Sequence, residues 1–221
     1  MMSICGSNAR FDTRSDVRRP PVISYRISSC ESGAGRSNVP VIHGHDVGLH
    51  DAFRGHLDEL SAEEHATGLV REQCAGAAEA LARFAELGWH NALLTGNAPE
   101  RARFKMLQAG YGEEPFDWEH SFFGHASEDR HHLTGLAAAA LAGHRVVIIG
   151  DTPMDGAAAA SAGFPFLGVG TGSFSPDELL AAGASVAVES FATGLPAAVA
   201  AIAALPEPAA QADASDSSAR S

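Results

Sequence analysis

From Asn91 onward the chain alternates between short continuous apolar runs and longer stretches whose apolar residues recur at helical spacing. The runs at Asn91–Thr95, Arg145–Ile149, Phe166–Val169 and Val186–Val188 predict strands, with shorter strand character around Trp118–Phe122. Between and after them the spacing predicts helices over Pro99–Ala109, Ser127–Ala142, Met154–Ala162, Ser175–Ala182 and Leu195–Leu205. The strands LLTG and VVIIG do not alternate polar with apolar, which is the pattern of strands covered by helices on both faces. The expected class is therefore α/β, a Rossmann-like parallel sheet.

Upstream the pattern is weaker. AGAAEALARFAEL predicts a helix closed at Gly88, and Leu49, Phe53, Leu57 and Leu60 predict another before it. Ser61 followed by Glu64 has the spacing of a capping box, so a further helix is expected to start there. Val22–Ile27 is an expected strand, and Val39–Gly44 a second strand or an extended connection. Residues 1–21 and the acidic, low-complexity stretch 206–221 are expected to be disordered, which leaves one domain over 22–205.

Composition agrees with that division. At 221 residues and 45% hydrophobic, the chain has enough apolar material for one domain's core. Its 15 Lys and Arg against 27 Asp and Glu give a formal net charge of −12, which repels polyanions, and no basic stripe stands out; nucleic acid is not an expected partner. Cys5, Cys30 and Cys74 are too scattered for a disulfide framework or a zinc ribbon, and a reducing, cytoplasmic setting is expected. No apolar run reaches membrane-helix length, so no membrane partner is expected either. The pattern leaves the oligomeric state open.

The chemistry gathers where strands end, because open parallel sheets bind ligands beyond the carboxyl ends of their strands. One strand runs into Thr95-Gly96-Asn97, with Pro99 at a plausible first helical position, so a hydroxyl and backbone N–H groups outline an anion site. Lys105 follows on the same helix. Another strand runs directly into Asp151, with Asp155 one helical turn on. Such a set suits a phosphate held with Mg²⁺, which takes one or two carboxylates together with waters and phosphate oxygens. Each residue also has a plain structural reading: Asp151 and Asp155 as helix caps, Thr95 in a turn, Lys105 on a solvated face.

LLTGN, the lysine of RARFKMLQAGY, and VVIIGDTPMDGAAAASAGF resemble, in order and spacing, the second, third and fourth motifs of the haloacid dehalogenase superfamily of phosphatases and phosphomutases. The likeness spans about Gly76 to Leu205 and is nearest to the phosphoglycolate phosphatase-like branch. It implies a core over about 22–36 and 76–205 with a short helical cap over about 45–75. It also implies Mg²⁺-dependent hydrolysis of a small phosphorylated metabolite. In that scheme Thr95, Gly96 and Asn97 bind phosphoryl oxygens and Lys105 offsets charge on nucleophile and phosphoryl group. Asp151 binds Mg²⁺, and Asp155 does so directly or through water.

One part of the pattern is missing. The superfamily's first motif, an Asp-x-Asp pair after the N-terminal strand, supplies the phosphoryl acceptor and the general acid/base. VISYRISSCESGAGR stands in its place without a carboxylate at the needed spot, and neither Asp12 nor Asp46 sits in a matching context. A catalytically impaired protein that binds phosphate and Mg²⁺ without turnover is therefore the alternative. A rival metal reading lies in VIHGHDVGLHD, where His43, His45, His50, Asp46 and Asp51 resemble the opening of metal-dependent amidohydrolases but complete no ligand set. His125, His131 and His132 are expected at a solvated helix start, and Thr171-Gly172-Ser173 in a turn beside the same sheet edge.

Overall fold

The structure is a computed structural model that describes residues 21–25, 47–124 and 130–206. The expected strand at 39–44, the expected disordered ends apart from Pro21 and Pro206, and the His43–Asp46 motif lie outside the described residues. In chain order the elements are β1 (Val22–Tyr25), α1 (Val47–Ala66), α2 (Ala77–Glu86), β2 (His90–Thr95), α3 (Pro99–Gln108), β3 (Phe122–Phe123) and α4 (Arg130–Ala140). They continue with β4 (Val146–Gly150), α5 (Pro153–Ser161), β5 (Phe166–Val169), α6 (Pro176–Ala181), β6 (Val186–Val188) and α7 (Phe191–Ala203).

Six strands form one sheet in the order β3-β2-β1-β4-β5-β6, and every pair is parallel. The expected α/β class is met, and the order reverses direction beside β1, between chain segments that run outward on either side. All five residues of β4 are buried, and their alternate side chains serve opposite faces. Val147 and Ile149 join Ile23, Leu167 and Val169 against Phe84 of α2 and Phe191, Ala198 and Ile202 of α7. Ile148 joins Leu94 and Phe166 against Leu133 of α4, Ala159 of α5 and Leu179 of α6. Helices on both faces explain why these strands read as continuous apolar runs.

Three boundaries differ from the sequence reading. Ser61 does not start a helix: it lies inside α1, its hydroxyl donates to Leu57 O at 2.8 Å, and the chain returns through residues 69–74 without a second helix. A serine that bonds back to the carbonyl four residues earlier is compatible with a helix interior, so its spacing to Glu64 was no boundary. α7 begins at Phe191 rather than Leu195, and Pro196 lies within it. Burial of Phe191, together with Gly194, whose added Cβ would overlap Val188, fixes the first turn against the sheet ahead of the proline. β3 is Phe122–Phe123, at the far end of the stretch expected around Trp118–Phe122.

α1 packs on α3. Arg101 of α3 pairs with Asp58 at 2.9 Å, and His65 stacks on Phe104 with ring centroids 4.6 Å apart. The return segment is tied to the end of α3 twice over: Arg71 N donates to Gln108 O at 2.9 Å and Arg71 Nε to Gln108 Oε1 at 2.8 Å.

Candidate functional site

β1 sets the level of the site. Tyr25 is in register with Leu93 on one side and Ile149 on the other. Thr95 and Asp151 therefore stand at one height, each two residues beyond that line, on the two strands that flank β1. Strands are spaced about 4.8 Å apart, so their backbones lie roughly 10 Å apart across the end of β1. This is where the strand order reverses, the place at which open α/β sheets form a crevice.

On the β2 side, Thr95 is buried and its Oγ1 accepts from Asn97 N at 3.2 Å and from Asn97 Nδ2 at 2.8 Å. A hydroxyl has two acceptor lone pairs and one proton, so with both lone pairs engaged its remaining function is donation. The Asn97 N–H, expected to face an anion, turns back to Thr95 instead. The turn is held from β3, where Gly124 N donates to Asn97 O at 2.9 Å and a Cβ on Gly124 would overlap Gly96 O. Lys105 is half-buried on α3, six residues past Pro99 and thus about 9 Å along the helix axis. Four residues after Arg101, it shares the face that meets α1.

On the β4 side the two carboxylates have different surroundings. Asp155 is buried, and its Oδ2 accepts from Thr152 N at 3.1 Å and Thr152 Oγ1 at 2.7 Å. It therefore ties off the first turn of α5, the structural reading of this residue, and a Cβ on Gly150 would lie 2.6 Å from its Cβ. Asp151 is half-buried and rests over Gly172 in the turn after β5, where a Cβ would come within 2.5 Å of its Oδ2. The expectation that Thr171–Ser173 lies by the same edge is met through this glycine.

The edge is thus lined by three close approaches to glycines, at Gly124, Gly150 and Gly172, together with a donor hydroxyl and two carboxylates. The sequence placed Gly172 beside this edge, but it showed none of the three close approaches, because each glycine meets residues far away in the chain or around a turn. The donor set, carboxylates without imidazole or thiolate, suits a hard cation such as Mg²⁺. The missing Cβ of Gly172 is what lets the Asp151 carboxylate lie against that turn.

The family profile described as HAD-hydrolase-like matches residues 128–193, a segment that contains Asp151 and Asp155 but neither Thr95 nor Lys105. No curated protein matches the chain at a significant level. Among solved structures, the chain is similar to a haloacid dehalogenase-like protein of unknown function from Agrobacterium tumefaciens, at 21% identity and a TM-score of 0.51 over 76% of this chain and 73% of that one. It is similar to CbbY from Rhodobacter sphaeroides in complex with phosphate, at 15% identity and a TM-score of 0.55 over 80% of this chain and 96% of that one. It is also similar to a candidate beta-phosphoglucomutase from Thermotoga maritima, at 17% identity and a TM-score of 0.56 over 81% and 98%. The fold is that of the haloacid dehalogenase-like proteins, and the resemblance read from the three motifs is borne out at that level. No helix among the described residues is long and apolar enough to cross a membrane.

Proposed function

We propose that the carboxyl edge of the sheet binds a small phosphorylated metabolite together with Mg²⁺, and that the chain is a haloacid dehalogenase-like phosphatase of the phosphoglycolate type. The observation that carries this reading is the placement of Thr95 and Asp151 at one height on either side of β1. Similarity to a structure that contains phosphate supports the same ligand class.

In this reading Thr95 Oγ1, both of its lone pairs held by Asn97, donates its proton to a phosphoryl oxygen. Lys105 offsets phosphoryl charge from α3, with α1 as the cap element packed beside it. Asp151 and Asp155 hold Mg²⁺, Asp151 directly from its glycine cradle. Asp155, with Oδ2 already accepting two hydrogen bonds, orients the turn that carries Asp151. Bound Mg²⁺ neutralises phosphoryl charge and aligns the phosphate.

β1 favours a second reading. The strand between Thr95 and Asp151 ends in Ser24-Tyr25, where an acyl-phosphate mechanism needs a carboxylate. Removal of a nucleophile lowers turnover by several orders of magnitude while leaving binding groups in place. The chain is then a phosphate and Mg²⁺ binder without turnover.

One set of measurements separates the two. Hydrolysis of p-nitrophenyl phosphate and phosphoglycolate is assayed with Mg²⁺ for the full chain and Asp151→Asn, alongside calorimetric titration with phosphate. Turnover lost in Asp151→Asn supports the phosphatase. Mg²⁺-dependent phosphate binding that Asp151→Asn removes, without turnover, supports the binder. Neither turnover nor binding overturns the site.

A further inference from the structure

We propose that His90, Asp117 and His120 form a binding site for Zn²⁺ or a similar borderline divalent cation at the amino edge of the sheet. It lies at the opposite end of β2 from Thr95, and it does not depend on the phosphate reading. β2 has six residues, which puts the two ends roughly 17 Å apart.

The geometry is convergent. His90 Nδ1 lies 2.6 Å and His120 Nδ1 2.8 Å from the same oxygen, Asp117 Oδ2. One ligand atom from each of the three residues lies within 4.8 Å of the others. Tetrahedral zinc with bonds of 2.0–2.1 Å separates its donor atoms by about 3.3 Å, so the contacts of 2.6 and 2.8 Å need to open by about 0.7 and 0.5 Å. Two imidazoles and a carboxylate suit zinc and its neighbours rather than Mg²⁺ or Ca²⁺, and three protein ligands leave a position for water. An open cavity of about 300 Å³, lined in part by Trp89, His90, Asn91 and Asp117, adjoins the group and gives that position room.

Bonds outside these three side chains also hold this region together. The loop is fixed to β2 by Asp117 N donating to Asn91 O at 2.7 Å, by Ser121 Oγ donating to Asp117 O at 2.6 Å, and by Leu93 N donating to Ser121 Oγ at 2.9 Å. Asn91 Nδ2 adds bonds to Leu81 O at 3.1 Å and Pro115 O at 3.3 Å. The backbone that presents the ligands is thus anchored at several points outside them, which favours a preorganised site. Asp117 is further aimed by His120 N, which donates to its other oxygen at 3.1 Å. All three side chains keep contact with solvent, with exposures of 43%, 17% and 33% for His90, Asp117 and His120, so a cation has a way in. A bound cation cross-links the start of β2 to the Asp117–Ser121 turn.

The test is a ZnCl₂ titration of the full chain labelled with ¹⁵N-histidine, followed through the ring nitrogens by NMR, with His90 and His120 assigned from single glutamine variants. The expected result is that both Nδ1 signals move together and saturate with the same stoichiometry. Competition with a chromophoric chelator is expected to show zinc affinity weakened at least 10-fold in His120→Gln and about 100-fold in His90→Gln/His120→Gln, while Asp151→Asn leaves it unchanged. Zinc that shifts only other histidines overturns the proposal, as does an affinity that the folded double variant retains. If the double variant does not fold, the wild-type ring-nitrogen shifts decide alone.

Discussion

Gly172→Ala perturbs the carboxyl-edge site at one atom. The new Cβ would meet Asp151 Oδ2 at 2.5 Å and Cγ at 3.2 Å, whereas ordinary contacts begin at 3.4 Å. The carboxylate oxygen must therefore retreat by about 0.9 Å, a shift taken up at the end of a side chain rather than in the backbone. Gly172 does not occupy the left-handed region, so alanine adds no backbone strain. For Mg²⁺ the same displacement is large, because its bonds of 2.0–2.1 Å tolerate little error in an octahedral shell. The expected outcome is a loss of Mg²⁺ affinity of about 10- to 100-fold, with Tm within about 2 °C of wild type. Isothermal titration with MgCl₂, alongside thermal melts with and without Mg²⁺, reads both quantities. Unchanged affinity in Gly172→Ala, when Asp151→Asn has lost it, refutes the cradle. If wild type itself shows no response that Asp151→Asn removes, the metal assignment of Asp151 fails instead.

Three further outcomes follow from the same geometry. Gly124→Ala drives a Cβ into the Gly96 carbonyl, backbone against backbone, so urea denaturation should show a loss of about 1–3 kcal/mol and phosphate binding should weaken with it. Phe84→Ala empties a fully buried position that meets Phe191 edge-to-face at 5.9 Å, and should cost about 3–5 kcal/mol by the same measurement. Glu178 is held below its ordinary value of 4.5 by the Ser175 N–H and then by the Ser175 hydroxyl, both donating to Oε2 at 2.8 Å. A depressed carboxylate contributes stability above its unfolded pKa and loses it as pH falls through the folded one. The stability difference between wild type and Glu178→Gln should therefore shrink between about pH 5.5 and pH 3 in urea melts.

What was legible in the sequence is what short-range chemistry writes there. The strand-to-Asp151 exit, the turn at Thr95 and the start of α6 near Ser175 each lie within a few consecutive residues, and their positions agree with the structure. The buried strands were legible because helices on both faces force continuous apolar runs. α1 was misread in the middle because Ser61 and Glu64 carry a cap's spacing inside an unbroken helix. Non-local features left less trace. Gly172 is a turn glycine until the fold sets it beneath Asp151, 21 positions away. His90 and Asp117 meet across 27 positions, although the Asp117-x-x-His120 spacing is itself suited to two ligands on one turn. Lys105 was legible as a cation on the helix after Thr95, but its place on the α1-facing side of α3 depends on how α1 docks.

The two ends of β2 impose opposite demands on metals, and this makes the assignments separable. At the carboxyl end the donors are carboxylates and a hydroxyl, which favour a hard cation that keeps most of its water. At the amino end two imidazoles converge on one carboxylate, which favours a borderline cation with fewer, closer ligands. Cross-binding is discouraged by chemistry as well as by distance: Mg²⁺ gains little from imidazole, and Zn²⁺ gains little from an edge without nitrogen donors. A chain whose Mg²⁺ response follows Asp151 and whose Zn²⁺ response follows His90 and His120 would carry two independent sites. The missing carboxylate on β1 bears on only the first. The β1 segment lacks a carboxylate but leaves Thr95 and Asp151 in place, so the proposed phosphate and Mg²⁺ binding at that edge is testable apart from turnover, and the amino-edge proposal apart from both.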